Sequence, residues 1–310
     1  MTLSIIIVNY KTPILTKRCV ENIVKCINDN LKYEIIIIDN HSLDGLKHII
    51  GDYLDNVKLI ETNANIGFGA ANNIGIRAST GDYILLVNSD VLIDSETVII
   101  KCINNIQKDE FIGAIGCKMI NTDGSIQNFT STIARYRKLL DQNLLFAKIF
   151  PEKHFEKEAI MGAFMLIPSK VMKACGGFDS DFFMYSEEID LCNRIRKLGY
   201  RVVYMDEISI FHENGGSTPN RDWANKQSKL SLALLFYKVH GFFGHLLYHV
   251  IVLMNMLTNS ILMWFLNKQY RKDFFKDSAF YFNGFFKYLT IPILFRRKPG
   301  KGKRQLIAKP

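Results

Sequence analysis

Four short apolar runs constrain this chain more than anything else in it: "LSIIIV" (3–8), "YEIIIID" (33–39), "VKLIE" (57–61) and "YILLV" (83–87). They are nearly continuous rather than alternating, the pattern of strands covered on both faces, as in parallel sheets. Helical patterns lie between them around 45–53 and 68–79, and Pro13 suits the first turn of a helix running to Asn28. Strands joined in this way by helices predict βαβ units and an α/β fold with a mostly parallel, doubly wound sheet. Ligands bind such sheets outside the carboxyl ends of the strands. Three polar clusters stand at those ends, Asn9-Tyr10, Asp39-Asn40 and Asn88-Ser89-Asp90, and all three are expected on one rim.

Beyond residue 110 the pattern loosens. Residues 117–129 read as a hairpin turning at Asp123-Gly124, 131–158 as a mobile loop, and "IMGAFMLIP" (160–168) as a strand. Gly176-Gly177 breaks the chain before "FDSDFFMYSEEIDLCNRIRKLGY" (178–200), where Ser186 is placed to cap a helix ending near Gly199. "RVVYMD" (201–206) is a short strand and "FHENGGST" (211–218) a polar loop.

From about 222 the chain reads as helical. Residues 241–266 are apolar and long enough for a span of roughly 20 residues. Yet His245, His249, Asn255 and Asn259 fall on one side at helical spacing, which suits a helix in the membrane interface or a helical hairpin equally well. Aromatic residues with Lys276 and Lys287 follow, then the tail "RRKPGKGKRQLIAKP". The formal charge of +9 belongs to this end: residues 268–310 carry 12 Lys/Arg against 2 Asp/Glu, and the remainder 27 against 28. A basic tail suits nucleic acid or an anionic membrane; joined to aromatics it predicts peripheral membrane attachment. Six scattered cysteines with no CxxC pair predict buried, reduced thiols rather than disulfides or zinc. A start directly on a strand predicts no secretory leader.

Each candidate for chemistry has a plain structural use as well. Asp39 suits the imide N–H of a pyrimidine base, or a turn. "NIGFGAANNIG" (65–75) puts three glycines at a helix start, without the GxGxxG spacing of a dinucleotide loop. Asp90 suits Mg²⁺ or Mn²⁺, which take oxygen ligands from one or two carboxylates and substrate phosphates. His212 suits a metal or a diphosphate. Glu187 and Glu188 open a helix, where the dipole alone favours acids. By helical spacing Glu188 shares a face with Leu191, Cys192 and Ile195 and is expected to point toward the protein body, as a general base would; Asp190 is expected to pair with Arg194 and face solvent.

Taken in order, "SIIIVNYKT", "IIIIDNHSLDG", "NANIGFGAANNIGIRASTGDYILLVNSD", "GAFMLIP", "GGFDSDFFMYSEEIDLCNRIRKLGY" and "FHENGGS" resemble glycosyltransferase family 2, inverting enzymes of the GT-A fold. The resemblance covers residues 3–218 and is strongest to the rhamnosyltransferase-like branch. It implies a catalytic domain over 1–220, with a nucleotide-sugar half (1–110) and an acceptor-side half (111–220); the helical, basic and aromatic pattern beyond it predicts a membrane-associating region over 221–310. It implies a nucleotide-sugar donor, dTDP-rhamnose or a UDP-sugar, bound by Asn9, Tyr10, Asp39, Asn65, Gly67, Asn73, Asn88, Ser89 and Asp90. Asp90 and His212 would hold Mg²⁺ or Mn²⁺, and Glu188, with Glu187 beside it, would be the base. Two positions depart from the family pattern: Asn88 replaces the first Asp of DxD, and the base is Glu rather than Asp.

The implied activity is inverting sugar transfer to a hydroxyl of a glycan or polyprenyl-diphosphate-linked acceptor in bacterial surface polysaccharide synthesis. Its implied location is the cytoplasmic face of the inner membrane, peripheral or through a C-terminal hydrophobic anchor, with no nucleic-acid partner. A sugar-1-phosphate nucleotidyltransferase would need a Gly-rich, basic loop where "VNYKTP" stands. A sugar-nucleotide-binding scaffold with lost catalysis draws only on Asn88 and the Glu-Glu pair.

Overall fold

The computed structural model describes residues 1–27, 31–53, 57–93, 95–127, 139–140, 159–213, 220–263, 275, 278–279, 281–282, 288–300 and 307. The expected loop over 131–158, apart from residues 139 and 140, lies outside them. So do residues 214–218 and most of the aromatic and basic stretch after 263.

Eight strands form one sheet in the order β3-β2-β1-β4-β7-β6-β8-β5. The strands are β1 (Thr2–Asn9), β2 (Lys32–Asp39), β3 (Val57–Glu61), β4 (Tyr83–Asn88), β5 (Val91–Leu92), β6 (Ile112–Ile120), β7 (Phe164–Pro168) and β8 (Arg201–His212). The first four run parallel, as expected. Beyond them β7 is antiparallel to β4 and β6, β8 is parallel to β6, and β5 is antiparallel to β8, so the sheet is mixed.

Helices cover both faces. They are α1 (Pro13–Cys26), α2 (Leu46–Ile49), α3 (Phe68–Ala78), α4 (Glu96–Lys108), α5 (Ser169–Cys175) and α6 (Glu187–Lys197). Alternate residues of a strand feed opposite layers. Ile5, Ile7, Ile35, Ile37, Leu85 and Val87 join one core, while Ile6, Ile36, Ile38, Ile84 and Leu86 join the other. Both faces are thus buried, and each fully buried aliphatic side chain contributes about 1.5–3 kcal/mol. α1 starts on Pro13; α4 starts on Ser95, whose hydroxyl accepts from Thr97 N at 3.2 Å.

Several expectations are corrected. The strand predicted over 160–168 is regular only from Phe164. β8 does not stop at 206: a bulge carries it on to His212, because β5 offers its end an antiparallel partner. Phe211 and His212 are therefore strand, not loop. Ser186 precedes α6 as expected, but its side chain makes no cap bond. Instead Tyr185 and Ser186 both take left-handed φ, 69° and 66°, which costs L-residues about 1–3 kcal/mol each and occurs where the surroundings impose it.

Two further helices among the described residues are α7 (Arg221–Met263) and α8 (Ile291–Leu294). α7 is broken at Gly241, with φ 77° and ψ −163°, a conformation that suits glycine. Its two halves pack into a third core containing Leu230, Leu234, Tyr248, Ile251, Tyr281 and Tyr288. The polar stripe His245, His249, Asn255 and Asn259 is buried in it, so the stripe faces protein rather than water or headgroups. His245 contacts the carbonyls of Ala233 (3.2 Å) and Tyr288 (3.0 Å), His249 meets Tyr281 Oη, and Asn255 donates to Leu139 O.

Candidate active site

Strand register builds the rim. Asn9 lies opposite Asp39, and Val8 opposite Asn88, so the three polar clusters end at one level. Asn9 is fully buried and organises the first loops. Its amide N donates to Ser42 Oγ (2.9 Å), Asp44 Oδ2 (3.0 Å) and Asp39 (3.3 Å), and its Oδ1 accepts from Thr12 and Thr16. Its bonding is spent inside the protein, whereas Tyr10 is 36% exposed. Asp39 is buried and accepts from Ser42 N at 3.1 Å. Asn40 and Asn65 pair at 2.9 Å and tie this rim to the loop before α3, where Asn65 also accepts from Gly67 N.

Gly67 is required by contact as well as by φ 84°. A Cβ there would lie 2.2 Å from Phe183 O, and Phe68 N donates to that oxygen at 2.9 Å. The glycine-containing loop is thereby joined to the loop that introduces α6. Asn73, expected to line the nucleotide pocket, is committed elsewhere. Its amide donates to Phe178 O (2.9 Å) and accepts from Phe178 N (2.8 Å), clasping the chain after Gly176-Gly177.

At the end of β4, Asn88 N donates to Ala163 O, Ser89 bonds Thr12 at 3.0 Å, and Asp90 is buried. Asn88 Oδ1 has no hydrogen-bond partner among the described residues. Asp90 Oδ1 is 3.3 Å from His212 Nε2. The opposite ring nitrogen, Nδ1, is 2.8 Å from Gln127 Oε1, and Gln127 Nε2 donates to His212 O and Asn121 Oδ1. Those two acceptors fix which end of the amide faces the ring, so Nδ1 carries a proton donated to Gln127. Nε2 is left facing the Asp90 carboxylate. That pairing of residue types fits the ligation of a shared cation, since an oriented second hydrogen bond is how metal-ligating histidines are usually held. Among the described residues no three His, Cys, Asp or Glu side chains cluster as metal ligands. Two protein ligands plus phosphate oxygens and water is an ordinary Mg²⁺ arrangement. Sequence reasoning missed Gln127: it lies 85 residues from His212, in a hairpin with no local signal.

The fourth wall is α6. Leu191, Cys192 and Ile195 are fully buried beneath Glu188, which is itself only partly buried, so the expected shared face is real and Glu188 stands at its edge. Gly162, adjacent to the Ala163 that Asn88 contacts, lies against Phe68 and the Cβ of Glu188. Burial raises the Glu188 carboxyl to about 7. Glu187 is buried against Phe178 and Gly69, and its Oε2 has no hydrogen-bond partner among the described residues. Burial first, then the neighbouring Glu188 charge, raises it well above the usual carboxylate range. Asp190 pairs with Arg194 at 2.8 Å as expected, but it is buried rather than facing solvent. Arg194 also donates to the carbonyls of Cys175 and Gly177.

The loop before α6 is held from the C-terminal region. Lys238 of α7, 1% exposed at its side chain, pairs with Asp179 Oδ2 at 2.8 Å and with Asp181, and donates to Lys298 O. None of the six cysteines forms a disulfide, and burial pushes Cys19, Cys102 and Cys192 up to about 12, away from nucleophilic use.

Comparison with known proteins bears on the family and the fold. Residues 4–172 match the family described as Glycosyl transferase family 2. The chain is 27% identical over 226 residues to the rhamnosyltransferase WbbL of Escherichia coli, covering 67% of this chain and 82% of the relative. It is 26% identical over 212 residues to an N-acetylglucosaminyl-diphospho-decaprenol L-rhamnosyltransferase of Mycobacterium tuberculosis, covering 59% and 67%. Among solved structures, the fold resembles a mannosyltransferase of Pyrobaculum calidifontis in complex with GDP-Man and Mn²⁺, with a TM-score of 0.58 at 15% identity over 93% of this chain and 86% of that one. A GT-A sheet with this rim, and a family match across more than half its length, place the chain in glycosyl transferase family 2.

Proposed function

We propose that this glycosyltransferase is an inverting enzyme of bacterial surface polysaccharide synthesis, taking its sugar from dTDP-rhamnose or a UDP-sugar. The acceptor is a hydroxyl of a glycan or a polyprenyl-diphosphate-linked glycan at the cytoplasmic face of the inner membrane. Residues 1–110 bind the donor, 111–220 form the acceptor side and 221–310 associate with the membrane. The rhamnosyltransferase names of two relatives, one with a decaprenol-linked acceptor, support the sugar and acceptor class.

The observation that carries the mechanism is the position of Glu188, partly exposed at the rim wall on the helix whose other two acids, Glu187 and Asp190, are buried. Burial and the neighbouring Glu188 charge make Glu187 hold its proton more tightly, which leaves the partly exposed Glu188 as the base. Glu188 accepts the proton of the acceptor hydroxyl. That oxygen bonds the anomeric carbon from the face opposite the nucleoside diphosphate, the carbon–phosphate-oxygen bond breaks with its electron pair on the diphosphate, and the configuration inverts. A base titrating near working pH combines availability with strength. Asp39 faces the base of the donor, with Tyr10, Asn65, Gly67 and Ser89 around it. Asn9 and Asn73 shape the loops that form the pocket. Asp90 and His212 would hold Mg²⁺ or Mn²⁺, which neutralises charge on the departing diphosphate.

The test is release of nucleoside diphosphate from a donor panel with Mn²⁺, wild type against Glu188→Gln. Equal release by both refutes the assignment of Glu188.

A further inference from the structure

The second half of α7 is inside out. Phe242, Phe243, Leu247, Val250, Leu257 and Ile261 are exposed, Phe243 by 82%, while His245, His249, Asn255 and Asn259 are buried. At 3.6 residues per turn the exposed residues fall within an arc of roughly 140°, and the buried polar ones lie on the opposite side. A surface helix in water shows the reverse arrangement. From residue 239 to residue 267 there is no Asp, Glu, Lys or Arg. The strip is about 30 Å long at 1.5 Å per residue, and its area, on the order of 300 Å² or more, is that of a functional patch.

We propose that this face docks in the headgroup–acyl boundary of an anionic bilayer, with α7 lying in the membrane plane. Charge selects the occupant. Arg296, Arg297 and Lys298 are exposed, and Arg297 donates to Val239 O at 2.9 Å and packs against Gly241. The cations therefore sit at the end of the strip where Phe242 and Phe243 begin. Residues 268–310, which include these three, carry a surplus of ten positive charges. A second copy brings the same charge and is repelled; phosphate headgroups bring the opposite charge and ask for no shape-matched partner.

Burial selects the orientation. Asp222–Ile261 is long and apolar enough to cross a membrane, but 44% of its most apolar window is buried in the protein. A span would strip His245 from its two carbonyl contacts and His249 from Tyr281, leaving polar groups in hydrocarbon. An in-plane helix keeps those contacts and gives the lipid only the apolar arc.

This rests on the reading that the enzyme works at a membrane, and the experiment separates the two. The full chain is floated with phosphatidylcholine vesicles, with and without phosphatidylglycerol, beside a Phe243→Glu/Val250→Glu/Leu257→Glu variant and an Arg296→Glu/Lys298→Glu variant. The wild type is expected to float with the anionic vesicles. The first variant should lose about tenfold or more in bound fraction, and the second should lose the preference for anionic lipid. Nucleotide-sugar binding in solution, read by thermal shift, should be unchanged in both, since neither touches the rim. Equal flotation of wild type and the first variant overturns the proposal. So does a wild-type dimer in sedimentation velocity that the first variant dissolves, which would make a second copy the occupant. Lost flotation with intact donor binding supports the surface; lost donor binding in the wild type overturns the catalytic reading instead.

Discussion

The α/β body and the second half of α7 both bury polar side chains, and they spend them differently. In α7 the histidines and Asn255 are used up on backbone carbonyls and a tyrosine. At the rim, Asn88 Oδ1 and Glu187 Oε2 have no hydrogen-bond partner among the described residues, and Asp90 and His212 face each other at 3.3 Å. A buried polar group with unspent capacity is costly to keep, and it belongs where a ligand completes it. Buried polarity alone does not mark a site.

If that contrast holds, substitutions at the rim cost turnover and those in α7 cost stability. Glu188→Gln gives the largest effect: kcat should fall about 10²–10⁴-fold with no loss of Tm, checked by single-turnover transfer and thermal melts. The pH profile sharpens this prediction. Activity requires the carboxylate, so it should decline as pH falls through about 7. The raised folded pKa means that the native state binds the proton more tightly than the unfolded chain. The Glu188 contribution to stability is therefore greatest below the ordinary carboxylate pKa and is lost as pH rises toward 7, opposite in direction to activity.

Lys238→Met comes next. It strands Asp179 and Asp181 without their cation and should cost about 3–5 kcal/mol at neutral pH, read by urea unfolding. His245→Leu should cost about 1–3 kcal/mol, since the carbonyls of Ala233 and Tyr288 lose their contacts, with transfer unchanged below the melt; a kinetic defect at low temperature would break the comparison. Gln127→Leu gives the smallest effect. It frees the His212 ring, and half-maximal turnover should need about 10–100-fold more Mn²⁺, read by metal titration at fixed donor.

The first four strands were legible because burial on both faces leaves nothing but apolar residues in Ile5–Ile7 or Ile35–Ile38. Of β6 only the end, from Cys117 in the expected hairpin, was legible, for Gly113 and Gly116 interrupt its start. A Cβ at either would lie within 3 Å of Ile195 and Tyr200, or of Ile160, so close packing there selects residues that carry no strand signal. In β8 the charged Asp206 and Glu207 fall in the register jump between Met205 and Ser209 and hide the strand's continuation to His212. The stripe in α7 was correctly grouped, but spacing says which residues share a side, not what medium that side meets. Asp190 was misplaced for a related reason: the C-terminal region lies over its surroundings, and Lys238 is close enough to act on its charge. The rim was legible because strand ends collect polar residues; Gln127 was not, because its role exists only across the sheet.

Lys238 sits four residues before Phe242, and its ion pairs reach the loop that sets Glu188. If the proposed lipid face and base both hold, the joint between them is a strut rather than a tether. A tethered enzyme sweeps a volume and meets acceptors at any height; one on a strut works at a fixed altitude above the bilayer. On that proposal acceptor choice would acquire a dimension that pocket chemistry does not describe, since a sugar too near or too far from a lipid anchor would pass at the wrong level.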